Sequence, residues 1–487
     1  MTSADRNQRT FFQHFSHFIT GRASILLIGF FTFPILTRNL SVEQYGILTL
    51  ITNTMAMAVT VGKLGLSDGI IRFHEEYADD NSRRAVFSSS LVIGGLLLSL
   101  ITSTLYISGL PFLYDILKIA PEFKICFLLM TLYLFVRPIN IICLNLMRAN
   151  YKTVTINILN FLSRIFEVSI GLPLLLYFIQ RLYGYFIGAI IAEYIIFLIL
   201  VHWLITNYKI KINLFSIDLA RKISSFGLPL LFSEISYLLL SYADRYIILF
   251  YHGEKELGLY SVGYNLAMYL ANLVTFSVSY AIVPIYIKIY AAKGKKETEI
   301  FLQDSFYYLL IGIIPMCFGY FAVSRDLFVL LASEKYIEAS SFSPLILYGS
   351  LFLGLNTILN AGLYVHKKTL AIFAIMSTGV LINIFLNIFL VPKYNVIGAA
   401  WATLISCFAT TIITVSFSYR LIFIRIKKEI LYHAALSIFM FFSIASISTD
   451  SLMVTLMCKL SLGFLIVFSG VLFREKKILM LIKEKMS

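Results

Sequence analysis

The chain has 487 residues, of which 59% are hydrophobic and only 14% are charged. With a mean hydropathy of +0.85, this composition excludes an ordinary soluble protein, in which about a quarter of the residues are charged. The formal net charge of +14 requires no nucleic acid as a partner, because membrane proteins collect Lys and Arg in their cytoplasmic loops. The sequence therefore predicts an all-α integral membrane protein.

Apolar runs of about 20 residues match the length that a helix needs to cross about 30 Å of hydrocarbon. The sequence contains fourteen such runs, at residues 16–37, 45–66, 86–108, 125–146, 154–178, 183–204, 227–251, 259–289, 306–323, 341–365, 370–391, 396–419, 431–447 and 452–473. With the N-terminus in the cytoplasm, the inner segments carry 25 of the 40 Lys and Arg residues and the outer loops carry 8. The positive-inside rule thus predicts that both termini are cytoplasmic.

Three short matches along the chain indicate an internal duplication. They pair Gly46 with Gly258, Lys152-Thr153 with Lys368-Thr369, and Ile187-Gly188-Ala189 with Ile397-Gly398-Ala399, at separations of 212, 216 and 210 residues. These matches align spans 1–6 with spans 7–12 as a parallel repeat, since six spans return the chain to the same side. We therefore predict a six-helix lobe at 1–206, a cytoplasmic linker at 207–225, a pseudo-symmetric six-helix lobe at 226–420, and two additional helices with a basic tail at 421–487. The substrate is expected between the lobes.

Seven cationic residues lie inside or at the ends of these runs. They are Arg22, Lys63, Arg137, Arg164, Arg245, Lys288 and Lys459. A cation at the centre of a membrane helix costs about 2.5 to 3.5 kcal/mol on insertion scales, so it normally faces a partner or a water-filled cavity. Several of them together favour a path for an anion.

Acidic residues accompany these cations at helical spacing. Span 7 carries Glu234 and the pair Asp244-Arg245 on one polar stripe, and span 5 carries Arg164 and Glu167 three residues apart. Each stripe has a structural alternative, in which Asp244-Arg245 stabilises the outer end of its helix and Arg164 pairs with Glu167 on its own helix. Glu193 and Glu234 are candidates for buried carboxylates that could carry a proton.

Nothing in the sequence favours an enzyme. The outer segments are too short for a catalytic domain, and no GxxxxGK[ST] nucleotide-phosphate loop is present. The five cysteines lie singly inside spans, which is typical of packing residues rather than of disulfides or metal ligands. We therefore predict neither a metal site nor a cofactor.

Several segments resemble the polysaccharide-transport flippases, which export O-antigen and related repeat units and belong to the multidrug/oligosaccharidyl-lipid/polysaccharide exporter superfamily. The resemblance covers most of the chain, and fourteen spans fit that family. It rests on Phe33-Pro34-Ile35-Leu36-Thr37-Arg38-Asn39-Leu40, Glu43-Gln44-Tyr45-Gly46, Gly227-Leu228-Pro229, Asp244-Arg245, Gly258-Leu259-Tyr260-Ser261-Val262, Asn383 to Leu390, Val391-Pro392-Lys393-Tyr394 and Gly398-Ala399-Ala400-Trp401-Ala402-Thr403.

The resemblance implies a V-shaped pair of lobes that moves an undecaprenyl-pyrophosphate-linked oligosaccharide across the bacterial inner membrane by alternating access, coupled to an ion or to the membrane potential. It also implies that spans 13 and 14 hold the lipid tail, and that the polymerase and chain-length regulator of the same pathway are partners. The cations implied to face the pyrophosphate or acidic sugars are Arg22, Lys63, Arg137, Arg164 and Arg245. The carboxylates implied to act in gating or ion coupling are Glu167, Glu193, Glu234 and Asp244.

Two other functions remain open from the sequence. A multidrug or cation antiporter of the related multidrug family shares the duplicated lobes, but it usually has twelve spans and fewer arginines in its binding chamber. A membrane glycan polymerase or ligase is also polytopic, but it should carry a large outer loop with clustered catalytic residues. The buried cations and the two added spans favour an anionic, lipid-linked cargo.

Overall fold

The computed structural model of the chain describes residues 27–77, 81–150, 152–178, 182–207 and 210–475. Nearly all of these residues are helical, which confirms the predicted all-α class. The helices are α1 (residues 27–39), α2 (Val42–Gly62), α3 (Leu66–Tyr77), α4 (Asn81–Leu117), α5 (Pro121–Ala149), α6 (Thr153–Pro173), α7 (Leu182–Asn207), α8 (Ile217–Leu327), α9 (Ser343–Leu359), α10 (Ala361–Val365), α11 (Thr369–Ser418), α12 (Ile430–Ala445) and α13 (Leu452–Arg474).

Two of these helices are too long to be single membrane crossings. The 111 residues of α8 would extend over roughly 165 Å at 1.5 Å per residue. Gly253 and Gly294 interrupt it with left-handed φ angles of +82° and +78°, which divides it into α8a (217–252), α8b (254–293) and α8c (295–327). Asn395, with φ 53° and ψ −139°, interrupts α11 in the same way. With these breaks, each of the fourteen predicted spans overlaps a described helical segment.

Membrane-spanning capacity follows from length and composition. Among the described residues, ten helical stretches are long and apolar enough to cross a membrane, and Ile430–Ala445 is a shorter apolar helix. The prediction of a multi-pass membrane protein is therefore confirmed.

Local signals set several helix boundaries. Ser41 and Gln44 form a reciprocal capping box at the start of α2, and Pro121 occupies the first turn of α5, where its missing N–H costs no hydrogen bond. Helix α3 was not predicted from the sequence, because it is short and about half of its residues are polar. Its apolar side chains Leu66, Ile70 and Phe73 are buried.

The chain divides into two compact units, residues Met1–Gly258 and Leu259–Ser487. The core of the first unit joins α3, α4, α5, α6, α7 and the start of α8a. Its fully buried members include Ile70, Leu91, Ile142, Leu200 and Ile223. The parallel repeat and the lobe boundaries drawn from the sequence stay predictions.

The segment predicted as a linker is attached to the first unit. The backbone N–H groups of Lys211 and Ser216 donate to the hydroxyls of Ser89 and Ser90 on α4, at 3.1 and 3.0 Å. A 3₁₀ turn, Ile212–Leu214, follows the first of these bonds. Helix α8 begins at Ile217, with two residues between it and this turn, so part of the predicted linker is helical.

In the second unit, the two C-terminal helices pack against each other and α13 contacts α8c. Lys459 of α13 forms an ion pair with Asp326, with 2.7 Å between Nζ and Oδ2. An apolar cavity of about 340 Å³ lies beside this pair and is lined from α8, α12 and α13, by Met316, Met440 and Phe464 among others.

Candidate functional site

A cavity of about 340 Å³ in the first unit is the site where charged side chains converge. It is lined from α2, α5, α6, α7 and α8a. Four of the predicted site residues line it: Lys63, Arg137, Glu167 and Glu234. Four hydroxyl-bearing side chains and a larger number of apolar side chains complete the wall; the former are Thr52, Thr60, Tyr133 and Tyr185.

Lys63 lies at the end of α2 and forms an ion pair with Glu234 of α8a. Its ammonium nitrogen is 3.0 Å from Oε1 and 2.7 Å from Oε2 of Glu234, and the Thr60 hydroxyl donates to Oε1 at 3.2 Å. The turn that follows α2 approaches α8a so closely here that a Cβ on Gly227 would overlap the carbonyl group of Gly65. Glycine at both positions therefore permits the contact that places Lys63 against Glu234.

Arg137 lies on α5 and pairs with Glu193 of α7, with 2.7 Å between Nη1 and Oε1. The Glu193 carboxylate also accepts from Asn140 Nδ2 at 2.8 Å and from the Ser163 hydroxyl at 3.2 Å. Asn140 Nδ2 additionally donates to the backbone carbonyl of Glu193 at 3.0 Å. A buried carboxylate with three side-chain donors is well satisfied, so this cluster holds Arg137 at the cavity wall.

Arg164 and Glu167 pair on α6, with 2.6 Å between Nη1 and Oε1. The hydroxyl of Tyr185 on α7 donates to the same carboxylate oxygen at 3.1 Å. Helices α6 and α7 meet backbone to backbone, since a Cβ on Gly188 would overlap Gly171. The pairing that the sequence left open for Arg164 and Glu167 is present, and only Glu167 of the two lines the cavity.

The remaining predicted residues lie elsewhere. The Arg245 guanidinium is enclosed, with Nη1 donating to the Ser241 carbonyl at 2.6 Å and to Asp244 Oδ1 at 3.0 Å. Neither Asp244 nor Arg245 lines the cavity, and the two side chains pair within one helix. Arg22 lies outside the described residues.

The arrangement gives the cavity both signs of charge. Two cations and two carboxylates line it, and each cation forms an ion pair. A bound phosphate would find a guanidinium and an ammonium in one wall, and these are the side chains that bind phosphate oxygens best. Among the residues that the structure describes, no group of three His, Cys, Asp or Glu is arranged to hold a metal.

Sequence reasoning missed three of the supporting residues: Asn140, Ser163 and Tyr185. A signal existed for Asn140, because it follows Arg137 by three residues and so lies on the same face of α5. Ser163 and Tyr185 have no such signal, since their partners come from other helices.

Comparison with known proteins places the chain in a family. The family described as polysaccharide biosynthesis protein matches residues 13–290, more than half of the chain, and the MatE family matches residues 229–389. An uncharacterized membrane protein of Methanocaldococcus jannaschii is 23% identical over 401 residues, which are 77% of this chain and 78% of that protein.

Solved structures share the fold. The lipid II flippase MurJ in an inward closed conformation superposes with a TM-score of 0.78 at 18% identity, over 95% of this chain and 99% of that one. An inward-facing multidrug resistance MATE transporter superposes with a TM-score of 0.66 at 13% identity, over 82% of this chain and 94% of that one. The chain therefore belongs to the polysaccharide biosynthesis protein family, and it shares the fold of the lipid II flippase MurJ and of the MATE transporter.

Proposed function

We propose that this protein is a flippase that carries an undecaprenyl-pyrophosphate-linked oligosaccharide, such as an O-antigen repeat unit, from the cytoplasmic to the outer leaflet. One observation carries the proposal: a single cavity within the membrane helices is lined by both Lys63 and Arg137. Cations are expensive to keep there, and a pyrophosphate is an anion that both can bind. Family membership supports the same class of cargo.

An apolar cavity in the second unit is the proposed binding site for the lipid part of this cargo. The apolar cavity beside Lys459 is lined from both C-terminal helices, and its wall consists mainly of Leu, Met, Phe and Val side chains. A prenyl chain is apolar and matches such a wall in polarity. This use of α12 and α13 is part of the proposal.

The setting of the protein is also proposed. Its location is the bacterial cytoplasmic membrane with both termini inside, and alternating access is coupled to an ion or to the membrane potential. A polymerase and a chain-length regulator are the partners that would receive the translocated unit. Arg22, Arg164 and Arg245 stay proposed contacts to the cargo in other conformations, and Glu167, Glu193, Glu234 and Asp244 stay proposed gating or coupling residues.

Deletion of the gene tests this function in cells. The deletion should leave the lipid-linked oligosaccharide facing the cytoplasm and remove the surface glycan, and the wild-type gene should restore both. Lys63→Ala should fail to restore the glycan while inserting into the membrane normally. Lys288→Ala is the matched control, because Lys288 is an exposed cation of α8b. Normal surface glycan in the deletion strain would refute the proposal.

A multidrug or cation antiporter is the second candidate, favoured by the MatE match over residues 229–389 and by the two carboxylates at the cavity. Such a protein would bind organic cations through Glu167 and Glu234. Loss of resistance to cationic dyes in the deletion strain, with surface glycan intact, would favour it over the flippase.

A further inference from the structure

We propose that Glu234 occupies the pyrophosphate position on Lys63 when the cavity is empty, so that the unloaded protein can return through the membrane with its charges neutralised. The inference rests on the proposed function and names a role within the same cavity. It makes Glu234 a carboxylate that the cargo displaces.

The geometry of the Lys63–Glu234 pair resembles that of an anion bound at this ammonium. Both carboxylate oxygens lie within 3.0 Å of Nζ, and the Thr60 hydroxyl donates to one of them. A phosphate group can present two oxygens to the same two donors. The carboxylate and a phosphate therefore compete for one set of hydrogen bonds.

The three carboxylates around the cavity differ in how firmly they are held. The Glu193 side chain is 5% exposed and accepts from three side chains, and the Glu167 side chain is 23% exposed and accepts from two. The Glu234 side chain is 37% exposed, and both of its donors lie on α2. Glu234 is therefore the carboxylate that can leave its partner most easily and be solvated by water in the cavity.

The exchange keeps Lys63 paired with an anion whether or not the cargo is bound. The cavity lining carries Lys63 and Arg137 against Glu167 and Glu234, so a pyrophosphate would add negative charge to a neutral wall. Burying uncompensated charge is costly in either direction. Displacement of Glu234 frees Lys63 for the cargo, and its return prevents Lys63 from being an unpaired cation after release.

The exchange also acts at a helix contact. Lys63 caps the end of α2 and Gly65 lies in the turn that follows it, while Gly227 and Glu234 lie two turns apart on α8a, and the backbones meet at Gly65 and Gly227. The ion pair therefore joins the end of α2 to α8a next to this backbone contact. Replacing Glu234 by a cargo anion thus removes one link between α2 and α8a while leaving the glycine contact in place.

Binding of farnesyl pyrophosphate to the purified full-length protein tests the inference. Glu234→Gln should bind this probe roughly fivefold more tightly than wild type, the upper end of what a partly exposed ion pair is worth. The same variant should turn over more slowly in a reconstituted flipping assay, because the empty cavity is left with an unpaired Lys63. The matched control is Glu76→Gln, an exposed carboxylate of α3 that pairs with Lys222 outside the cavity.

The outcomes separate this inference from the proposed function. Unchanged affinity in Glu234→Gln, with binding lost in Lys63→Ala, would overturn the exchange and keep the flippase. Unchanged binding in Lys63→Ala would remove the proposed site itself. If Glu234→Gln fails to fold, Glu234→Asp keeps the charge on a shorter side chain and should bind between wild type and the expected Gln value; affinity at or below wild type in that variant would overturn the exchange.

Discussion

Removal of the Glu193 carboxylate tests how the first unit holds a cation inside the membrane. Truncating one partner of a buried ion pair typically costs about 3 to 5 kcal/mol. The Arg137 side chain is 28% exposed toward the cavity, so water relieves part of this cost. Asn140 also keeps its bond to the Glu193 backbone carbonyl. We therefore expect Glu193→Ala to destabilise the protein by about 3 kcal/mol, the lower end of that range.

Thermal unfolding in detergent with a thiol-reactive dye measures this loss. Cys126 and Cys143 are buried in the first unit, so they react only when it unfolds. Cys407 is buried in the second unit and reports the unfolding of that unit, whereas the exposed Cys458 and the partly exposed Cys317 should first be replaced by Ser. The melting temperature of Glu193→Ala should fall by several degrees.

A double variant supplies the control. Replacing Arg137 and Glu193 together by Met removes both charges, and apolar replacement of a whole buried pair is often neutral. Most of the lost stability should therefore return in the double variant. A Glu193→Ala protein as stable as wild type, or a double variant no better than the single one, would refute this account of the Arg137 cluster.

Three further predictions concern packing and topology. Gly188→Leu should separate α6 from α7, because the new side chain would overlap Gly171. Both the melting temperature and the yield of folded protein should fall. Wild-type values for both would contradict the close contact between the two helices. Asp326→Ala should destabilise the second unit by about 3 kcal/mol by leaving Lys459 without its carboxylate, measured by the same dye through Cys407, which is buried in that unit. Asp326→Asn should lose less. In a variant without native cysteines, a Cys at exposed position Lys367 should react with an impermeant maleimide only after the membrane is opened; labelling of intact cells would reverse the orientation.

The spans could be predicted because an apolar run of about 20 residues has few alternatives to a membrane helix. Helix α3 was missed because its burial comes from three apolar side chains among polar ones. From the sequence, Gly253 and Gly294 could be placed in the turns between spans, but the exact positions of the breaks were not predicted. Glycine readily adopts the positive φ angles found at both positions.

The site was predictable in its residue types and not in its pairings. Arg164 and Glu167 are three residues apart on one helix, so their contact follows from helical geometry. Lys63 and Glu234 are 171 residues apart, and Arg137 and Glu193 are 56 apart, so only the packing of the helices brings them together. The sequence indicated an open cationic path, whereas the structure places a carboxylate on Lys63, on Arg137 and on Arg164.

Reconstituted translocation tests the central claim most directly. Purified protein in liposomes would be given a fluorescent prenyl-pyrophosphate-linked oligosaccharide, and the label in the outer leaflet would be measured over time with a membrane-impermeant quencher. Wild type and Lys288→Ala should expose the inner-leaflet label at the same rate, and the Lys63→Ala/Arg137→Ala double variant should be at least about tenfold slower, which corresponds to about 1.4 kcal/mol. No movement of the label by wild type, or equal rates in wild type and the double variant, would contradict the claim.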